Sequence, residues 1–488
     1  MTTAAAPLVR QHIAGAWVDS RNGRTYESLD PWSGEVVAVV SAGDQDDARA
    51  AIEAADRAFA GWSRSLPHER QSVLLRAADI VQRRRGEILT LLARETGCTR
   101  YFGDVQLDFA LSLLRQSAAL PYAADGQLIP SDRPGTRSMA VRRPVGVVGA
   151  IAPWNAALAL TGRAIVGPLA LGNTVVLKPS QEAPACGALW AEVFEEAGLP
   201  PGVLNVVTHA PGEASLIGDE LIANPLVRRL SFTGSTATGR RLAEAAGRHL
   251  KRILLQLGGQ NPLIVLDGVD LDHAAEAAAY GAFVHQGQVC LCARRIFVER
   301  SIADAFLERF AAKVSSLPLG NPLDPRTVIG PVINRWALST IGRRVEEAVA
   351  AGARIVAGGT AAPPCYPATV LTDVPEDIEL AFDETFGPIV VVTVVEDREE
   401  AVARANASGF GLAAAVLAAD SVQGLEVARR IDAGIVHVND QPVNDEPQMP
   451  FGGTRDSGWG RFGVGFVAED FTELQWVTTR DTPRTYPF

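Results

Sequence analysis

The chain is poor in cysteine and has no arrangement of cysteines that would make a framework. The five thiols are scattered at Cys98, Cys186, Cys290, Cys292 and Cys365. An odd number at irregular spacing argues against a disulfide scaffold. No pair of CxxC motifs and no Cys/His set has zinc spacing, so no metal site is expected. Free thiols fit a reducing compartment. Positive charge is also in deficit: the net charge is −11. That argues against nucleic acid or an anionic membrane surface as a partner. Residues 1–19 carry no uninterrupted apolar segment of the signal-peptide kind. The longest apolar stretch, 156–177, is broken by Arg163, Pro168, Gly172 and Asn173 and makes a poor membrane span. The expected location is therefore the cytoplasm. No short-period repeat or low-complexity linker is visible.

What remains is an ordinary globular composition over 488 residues, enough for two or three domains. In Gln45–Trp62 the residues Ala48, Ile52, Ala55 and Phe59 fall on one helical face, and 71–92 has the same spacing. From about Val145 the texture changes. Short β-branched runs at 147–151, 174–177, 203–207, 229–232, 253–255 and 263–266 alternate with helical segments such as 183–197 and 235–249. This alternation predicts a parallel sheet covered by helices on both faces. A second α/β series follows, with 302–314, 343–351, 389–395, 399–407 and 434–438, and predicts a second domain. The segment 476–479 reads as a strand standing apart.

Four short motifs carry chemistry. Phe232-Thr-Gly-Ser-Thr-Ala-Thr-Gly239 follows a β-run and opens a helix. It is either a cradle for phosphate at a helix N-terminus or simply a tight turn. In Thr174-Val-Val-Leu-Lys-Pro-Ser180 a strand ends on Lys178, placed either to meet a phosphate or ribose or to be solvated. Gly287-Gln-Val-Cys290 sets a thiol after a glycine, an irregular setting of the kind a reactive cysteine needs. A buried small hydrophobe is the plain alternative, and Cys292 is the rival nucleophile. Pro153-Trp-Asn155 follows a strand end, where an asparagine amide serves either an oxyanion or a turn.

Order and spacing together resemble the aldehyde dehydrogenase superfamily over nearly the whole chain. The matching pieces are Pro153-Trp-Asn155, Leu177-Lys-Pro-Ser180, Phe232-Thr-Gly-Ser235 with Gly239, Leu257-Gly-Gly259, Gly287-Gln-Val-Cys290, Glu384-Thr-Phe-Gly-Pro388 and Pro450-Phe-Gly-Gly453. The resemblance implies an α/β fold in three parts. A Rossmann-like dinucleotide-binding domain would comprise 1–121 and 145–257. A catalytic α/β domain would comprise 258–455, and a β oligomerisation arm 122–144 and 472–484. It implies a homodimer or homotetramer acting on a small aldehyde.

The resemblance also implies roles. Cys290 would attack the aldehyde, Asn155 and the Cys290 N–H would hold the oxyanion, and a thioester would follow. Lys178 would meet the adenosine ribose, Ser235 the pyrophosphate and Glu384 the nicotinamide ribose, with Phe386 and Trp154 beside the cofactor. Ile151, Ser180, Gln181, Gly212, Phe232, Gly234, Thr238, Gly239 and Leu257 complete the expected cofactor contacts.

Two departures stand out. The glutamate that usually precedes Leu-Gly-Gly as general base is Gln256, which cannot accept a proton at neutral pH. A second glutamate used by some members is Phe462. Deacylation would then use another base or a water chain with Gln256 as positioner. Otherwise the thioester passes to a thiol such as coenzyme A, or the cycle stalls there. A non-enzymatic protein on the same fold is the remaining alternative. The glutamate expected after Lys-Pro-Ser is Gln181, which lacks the charge that repels a 2′-phosphate, with Glu182 next to it. NAD is therefore expected as the main cofactor with appreciable use of NADP. The stretch Ala156–Arg163, with Asn444-Asp-Glu-Pro-Gln-Met-Pro-Phe451 and Gly460-Arg-Phe-Gly463, resembles the benzaldehyde, salicylaldehyde and vanillin dehydrogenase branch, and the expected pocket residues are small Ala156, Arg163, Val289, Leu291, Met449 and Phe451. Arg163 would meet a ring substituent or pair with an acidic neighbour, and Met449 and Phe451 would be pocket walls or plain core.

Overall fold

The computed structural model describes residues 6–123 and 126–488. Residues 1–5 of the expected cofactor domain and 124–125 of the expected arm lie outside the described residues.

Five parallel strands organise the first half. They are β1 (Val147–Ile151), β2 (Thr174–Lys178), β3 (Leu204–Val206), β4 (Val227–Thr233) and β5 (Arg252–Gln256). Their spatial order is β5-β4-β1-β2-β3. Antiparallel Gln11–Ile13 and Ala16–Val18 extend the β3 edge, and Gly458–Trp459 extends the β5 edge. β1 and β2 are buried on both faces, which is why they read as unbroken apolar runs rather than alternating ones. Helix α1 (Ala157–Ala170) is buried along its whole length and apolar apart from Thr161 and Arg163. Helices α2 (Pro184–Glu196), α3 (Ala214–Ala223) and α4 (Thr236–Arg248) complete the layers. The chain runs outward through β1, β2 and β3, then returns to the other side of β1 as β4. The switch point therefore lies between β1 and β4, where the carboxyl ends of the strands open a crevice.

The second half builds another sheet. Its strands are β6 (Asn261–Val265), β7 (Ala293–Glu299), β8 (Arg354–Ala357), β9 (Thr369–Thr372), β10 (Ile389–Val395), β11 (Ala413–Leu417) and β12 (Ile435–Val438). They lie in the order β8-β9-β10-β7-β6-β11-β12, parallel except at β8. One face packs Leu263 and Val265 against Phe306 and Phe310; the other packs Ile264 and Val416 against Val402 and Val427. A third sheet stands apart. Thr472–Arg480 pairs antiparallel with Thr136–Pro144 over nine residues, and Gln127–Ile129 joins the other edge. Its Leu128 and Trp476 are 80% and 79% exposed.

The helix predicted over 71–92 is two helices, Pro67–Arg83 and Arg85–Thr96. The chain turns at Arg84, whose guanidinium bonds Glu87 and Glu192, and the redirected second helix buries Ile88, Leu89 and Leu92. Among the described residues no helix is long and apolar enough to cross a membrane.

Candidate active site

The loop that carries Cys290 is held in an unusual backbone. His285, Gln286 and Gly287 all have positive φ, at 51°, 55° and 68°. Left-handed non-glycine residues in succession are strained and persist only where the surroundings fix them. Here Gln286 Nε2 donates to the carbonyls of Gly97 and Pro331, each at 2.9 Å. Arg294 donates to the carbonyls of Gly387, Gly287 and Val289. The Ile333 N–H donates to Gln288 Oε1 at 3.0 Å. A Cβ on Gly287 would collide with the Gly387 carbonyl, so glycine is required there.

This loop delivers Cys290 to the place where two cavities meet. One, of about 600 Å³, lies along the crevice and is lined by Trp154, Gln181, Ser235, Gln256, Glu384 and Phe386 among others. The second, of about 390 Å³, lies behind it and is lined by Phe102, Phe109, Ala156, Val289, Leu291 and Phe451 among others. Cys290, Asn155 and Leu160 belong to both walls. Asn155 Nδ2 donates to the Gln288 carbonyl at 3.0 Å, which aims the amide at the cysteine loop. Cys290 is partly exposed at the junction, whereas Cys292 is fully buried and lines neither cavity. Burial pushes the Cys290 thiol up to about 12, and the nearby Glu384 carboxylate adds to the shift.

The crevice fits a dinucleotide. Ser235 caps α4 at the switch point, its Oγ accepting from the Thr238 N–H at 3.4 Å. Gly239 lets α4 close on Leu257, since a Cβ would strike that side chain. Phe232 and Ile151 are buried at the ends of β4 and β1. Lys178 ends β2 with Nζ 2.7 Å from His209 Nε2, and burial lowers its pKa to about 7. A buried amine with so little protein compensation is suited to ribose hydroxyls. Ser180 Oγ accepts from the Glu182 N–H at 3.2 Å. Gln181 and Glu182 both face the crevice, and burial raises the Glu182 pKa. Gly212 lies on the exposed loop just beyond, with φ of 81°. Trp154 and Phe386 meet edge to face, 5.7 Å between ring centroids, across the inner end.

Gln256 ends β5 and is buried. Its Nε2 donates to the Leu257 carbonyl at 3.3 Å, and its Oε1 has no protein partner. Glu384 lies across the Gly258-Gly259 turn. Its Oε1 accepts from the Gly259 N–H at 3.2 Å, and burial raises its pKa to about 7. Arg344 of the helix Arg335–Ala350 donates to the Glu384 carbonyl at 2.7 Å and fixes that segment.

Two expected pocket residues lie elsewhere. Arg163 is buried behind the substrate-side cavity, not in its wall. Its Nη2 donates to both Asp445 oxygens, at 2.6 and 2.8 Å, and its guanidinium lies 4.0 Å from the Phe451 ring centroid. Asp445 is the residue that reaches the wall. Met449 is 52% exposed and lines neither cavity; the Phe451 backbone bridge to Phe462 turns it outward. Phe462 is buried core. The clamps Gln286 and Arg294, the His209 partner of Lys178, and wall residues Phe102, Phe109 and Asp445 come from distant segments. Gln286, in the run before Gly287, offered the one local signal.

A doubly wound sheet whose crevice leads to a cysteine is the architecture of dinucleotide-dependent oxidoreductases that work through a thiol. The chain belongs to the aldehyde dehydrogenase family, whose sequence pattern matches residues 17–477. It is thus an enzyme of the family that uses NAD or NADP to oxidise aldehydes. A vanillin dehydrogenase from Pseudomonas fluorescens is 45% identical, the match covering 97% of this chain and 98% of that protein. A benzaldehyde dehydrogenase [NAD(+)] from Pseudomonas putida is 41% identical, covering 97% and 96%. The crystal structure of a salicylaldehyde dehydrogenase from Pseudomonas putida G7, complexed with salicylaldehyde, superposes with a TM-score of 0.96 at 39% identity, covering 99% and 100%.

Proposed function

We propose that the enzyme oxidises an aromatic aldehyde to its carboxylic acid, with Cys290 as nucleophile. The observation that supports this reading is the meeting of two cavities at Cys290 and Asn155, one along the crevice and one walled by aromatic side chains. The second cavity is walled by Phe102, Phe109 and Phe451, and Ala156 beside Asn155 leaves width for a planar substrate. The names of the relatives, vanillin, benzaldehyde and salicylaldehyde dehydrogenases, support the same substrate class.

In this reading Cys290 Sγ gives up its proton to solvent and bonds the aldehyde carbon, and the resulting oxyanion is held by Asn155 Nδ2 and the Cys290 N–H. A nicotinamide held in the crevice would supply the hydride acceptor, and Cys290 is left carrying the thioester. Lys178, Ser235 and Glu384 bind the cofactor at its adenosine ribose, pyrophosphate and nicotinamide ribose; Trp154 and Phe386 flank its reactive end. NAD is the main cofactor, with NADP also used. Gln181 carries no charge and so lacks the carboxylate that would repel a 2′-phosphate. The dinucleotide-binding domain comprises 1–121 and 145–257 and the catalytic domain 258–455. The arm of 122–144 and 472–484 mediates a homodimer or homotetramer. Five free thiols suit a reducing compartment such as the cytoplasm.

Gln256 favours a second reading, in which the thioester is passed to a thiol acceptor such as coenzyme A rather than to water. A panel of aromatic and aliphatic aldehydes, assayed with NAD and with NADP, tests the proposal. Higher kcat/KM for the aromatic members, with measurable NADP turnover, is expected. Equal or better use of short aliphatic aldehydes contradicts it, and steady turnover only with added coenzyme A favours the second reading.

A further inference from the structure

Hydrolysis of a thioester at Cys290 requires a group that takes the proton of the attacking water. Four carboxylates border the two cavities: Asp108, Asp445, Glu182 and Glu384. Asp108 accepts from Arg85 at 2.9 Å and faces solvent. Asp445 is held by Arg163 through both oxygens. Glu182 accepts from Asn334 at the far end of the crevice, beside Gln181. Glu384 lacks the arginine partner of Asp108 and Asp445, and unlike Glu182 it lies beside the cysteine loop. Among the described residues it has no ion pair, and the Gly259 N–H is its one hydrogen-bond donor. No histidine borders either cavity; His285, the nearest in sequence to Cys290, is stacked on Phe102.

Geometry places Glu384 close to the reacting thiol. Its carboxylate lies against the Gly258-Gly259 turn so closely that a Cβ on Gly258 would collide with Oε2. A Cβ on the neighbouring Gly259 would lie 3.0 Å from the Cys290 carbonyl oxygen. Glu384 and the Cys290 loop thus flank one two-residue turn, and both open on the same cavity. Gln256 lies two residues before Gly258, and its buried Oε1 has no protein partner among the described residues.

We propose that Glu384 is the base of the hydrolytic step, with Gln256 as the residue that orients the water. The inference rests on the Cys290 thioester described above. Gln256 Oε1 accepts one O–H of the water, and Glu384 takes the other proton as the water oxygen bonds the acyl carbon. The resulting oxyanion is held by Asn155. Its collapse breaks the carbon–sulfur bond, expels the Cys290 thiolate and releases the carboxylic acid. The proton on Glu384 then returns to the thiolate or to solvent, so no oxidant or further reactant is consumed. Glu384 would hold the nicotinamide ribose with that end of a cofactor in place, and would be open to water without it. The charged and titratable groups facing it are Arg294, Arg344, Asp383, Cys290 and Cys292.

Glu384→Gln is the near-isosteric test, read by rapid mixing of enzyme, aromatic aldehyde and NAD. The expected variant keeps a burst of one reduced cofactor per subunit, while the steady rate falls about 10²–10⁴-fold. Hydroxylamine, which attacks the thioester without that base, restores the steady rate. In the unmodified enzyme the steady rate rises with pH through about 7, where Glu384 ionises, and the variant loses that rise. Gln256→Glu added to the variant restores both the rate and a pH limb. A burst slowed in proportion to the steady rate, with no response to hydroxylamine, overturns the proposal and leaves Glu384 a cofactor ligand only. An unchanged steady rate overturns it equally. Absence of any acyl adduct on Cys290 in the variant quenched during turnover refutes the underlying Cys290 reading instead, and the inference with it.

Discussion

At the scale of single residues, the electrostatics of Cys290 are unfavourable to a thiolate. Burial removes water from the sulfur, and Glu384 and Asp445 add negative charge nearby; Arg163 compensates only in part. A pKa raised to about 12 means that the neutral thiol dominates at pH 7. Iodoacetamide alkylation of Cys290 in the cofactor-free enzyme is therefore expected to accelerate with pH well beyond 9. Peptide mass spectrometry across a pH series checks this, and a plateau below pH 8 would show an activated thiol. The same low-dielectric setting explains Arg163. Buried beside Phe451, its guanidinium finds its counter-charge in Asp445, so the side chain is spent on holding the wall rather than on touching a substrate.

At the scale of elements, the decisive piece is the strained run before Cys290. Three consecutive positive φ values are tolerated because Gln286, Gln288 and Arg294 are each tied to other segments. Gly287→Ala places a Cβ against the Gly387 carbonyl at a φ of 68°. A loss of about 1–3 kcal/mol is expected, read as a lower Tm, together with slower Cys290 labelling. An unchanged Tm would show that the loop is not under this constraint. Such contacts also explain what was legible in the sequence. β10 announces itself through an unbroken β-branched run, β1 and β2 through Val147-Val148 and Thr174-Val175-Val176, and Gln45–Trp62 through its apolar period. β11, with the sequence AAAVL, gives no such signal, because alanine fits a crowded sheet interior without favouring a strand intrinsically. The break at Arg84 is set by the packing of Ile88, Leu89 and Leu92, which periodicity alone does not encode. The Cys290 and Asn155 motifs were readable locally. The nearness of Glu384 to Cys290, and the burial of Arg163, depend on segments about a hundred residues or more apart.

At the scale of the whole molecule, the third sheet is the feature a lone subunit does not explain. It presents Leu128, Leu474 and Trp476 to solvent on strands projecting from the body. Large exposed apolar side chains on one sheet mark an interaction surface, in keeping with the proposed assembly. Trp476→Asp is expected to shift sedimentation toward the monomer without unfolding the chain, since that side chain is 79% exposed. Retention of the native sedimentation coefficient would remove Trp476 from the interface. Among the described residues, three of the five sheets divide the labour. One offers the carboxyl-end crevice at the β1–β4 switch, and the second brings Cys290 and Glu384 to it. The arm stands clear of both cavities.

The most direct test of Cys290 as the covalent centre is intact-protein and peptide mass spectrometry on enzyme quenched during the burst, with an aromatic aldehyde and NAD. An acyl group on Cys290, one per subunit and equal in amount to the reduced cofactor formed, is the expected result. An adduct on Cys292, or turnover that survives Cys290→Ala, would contradict it.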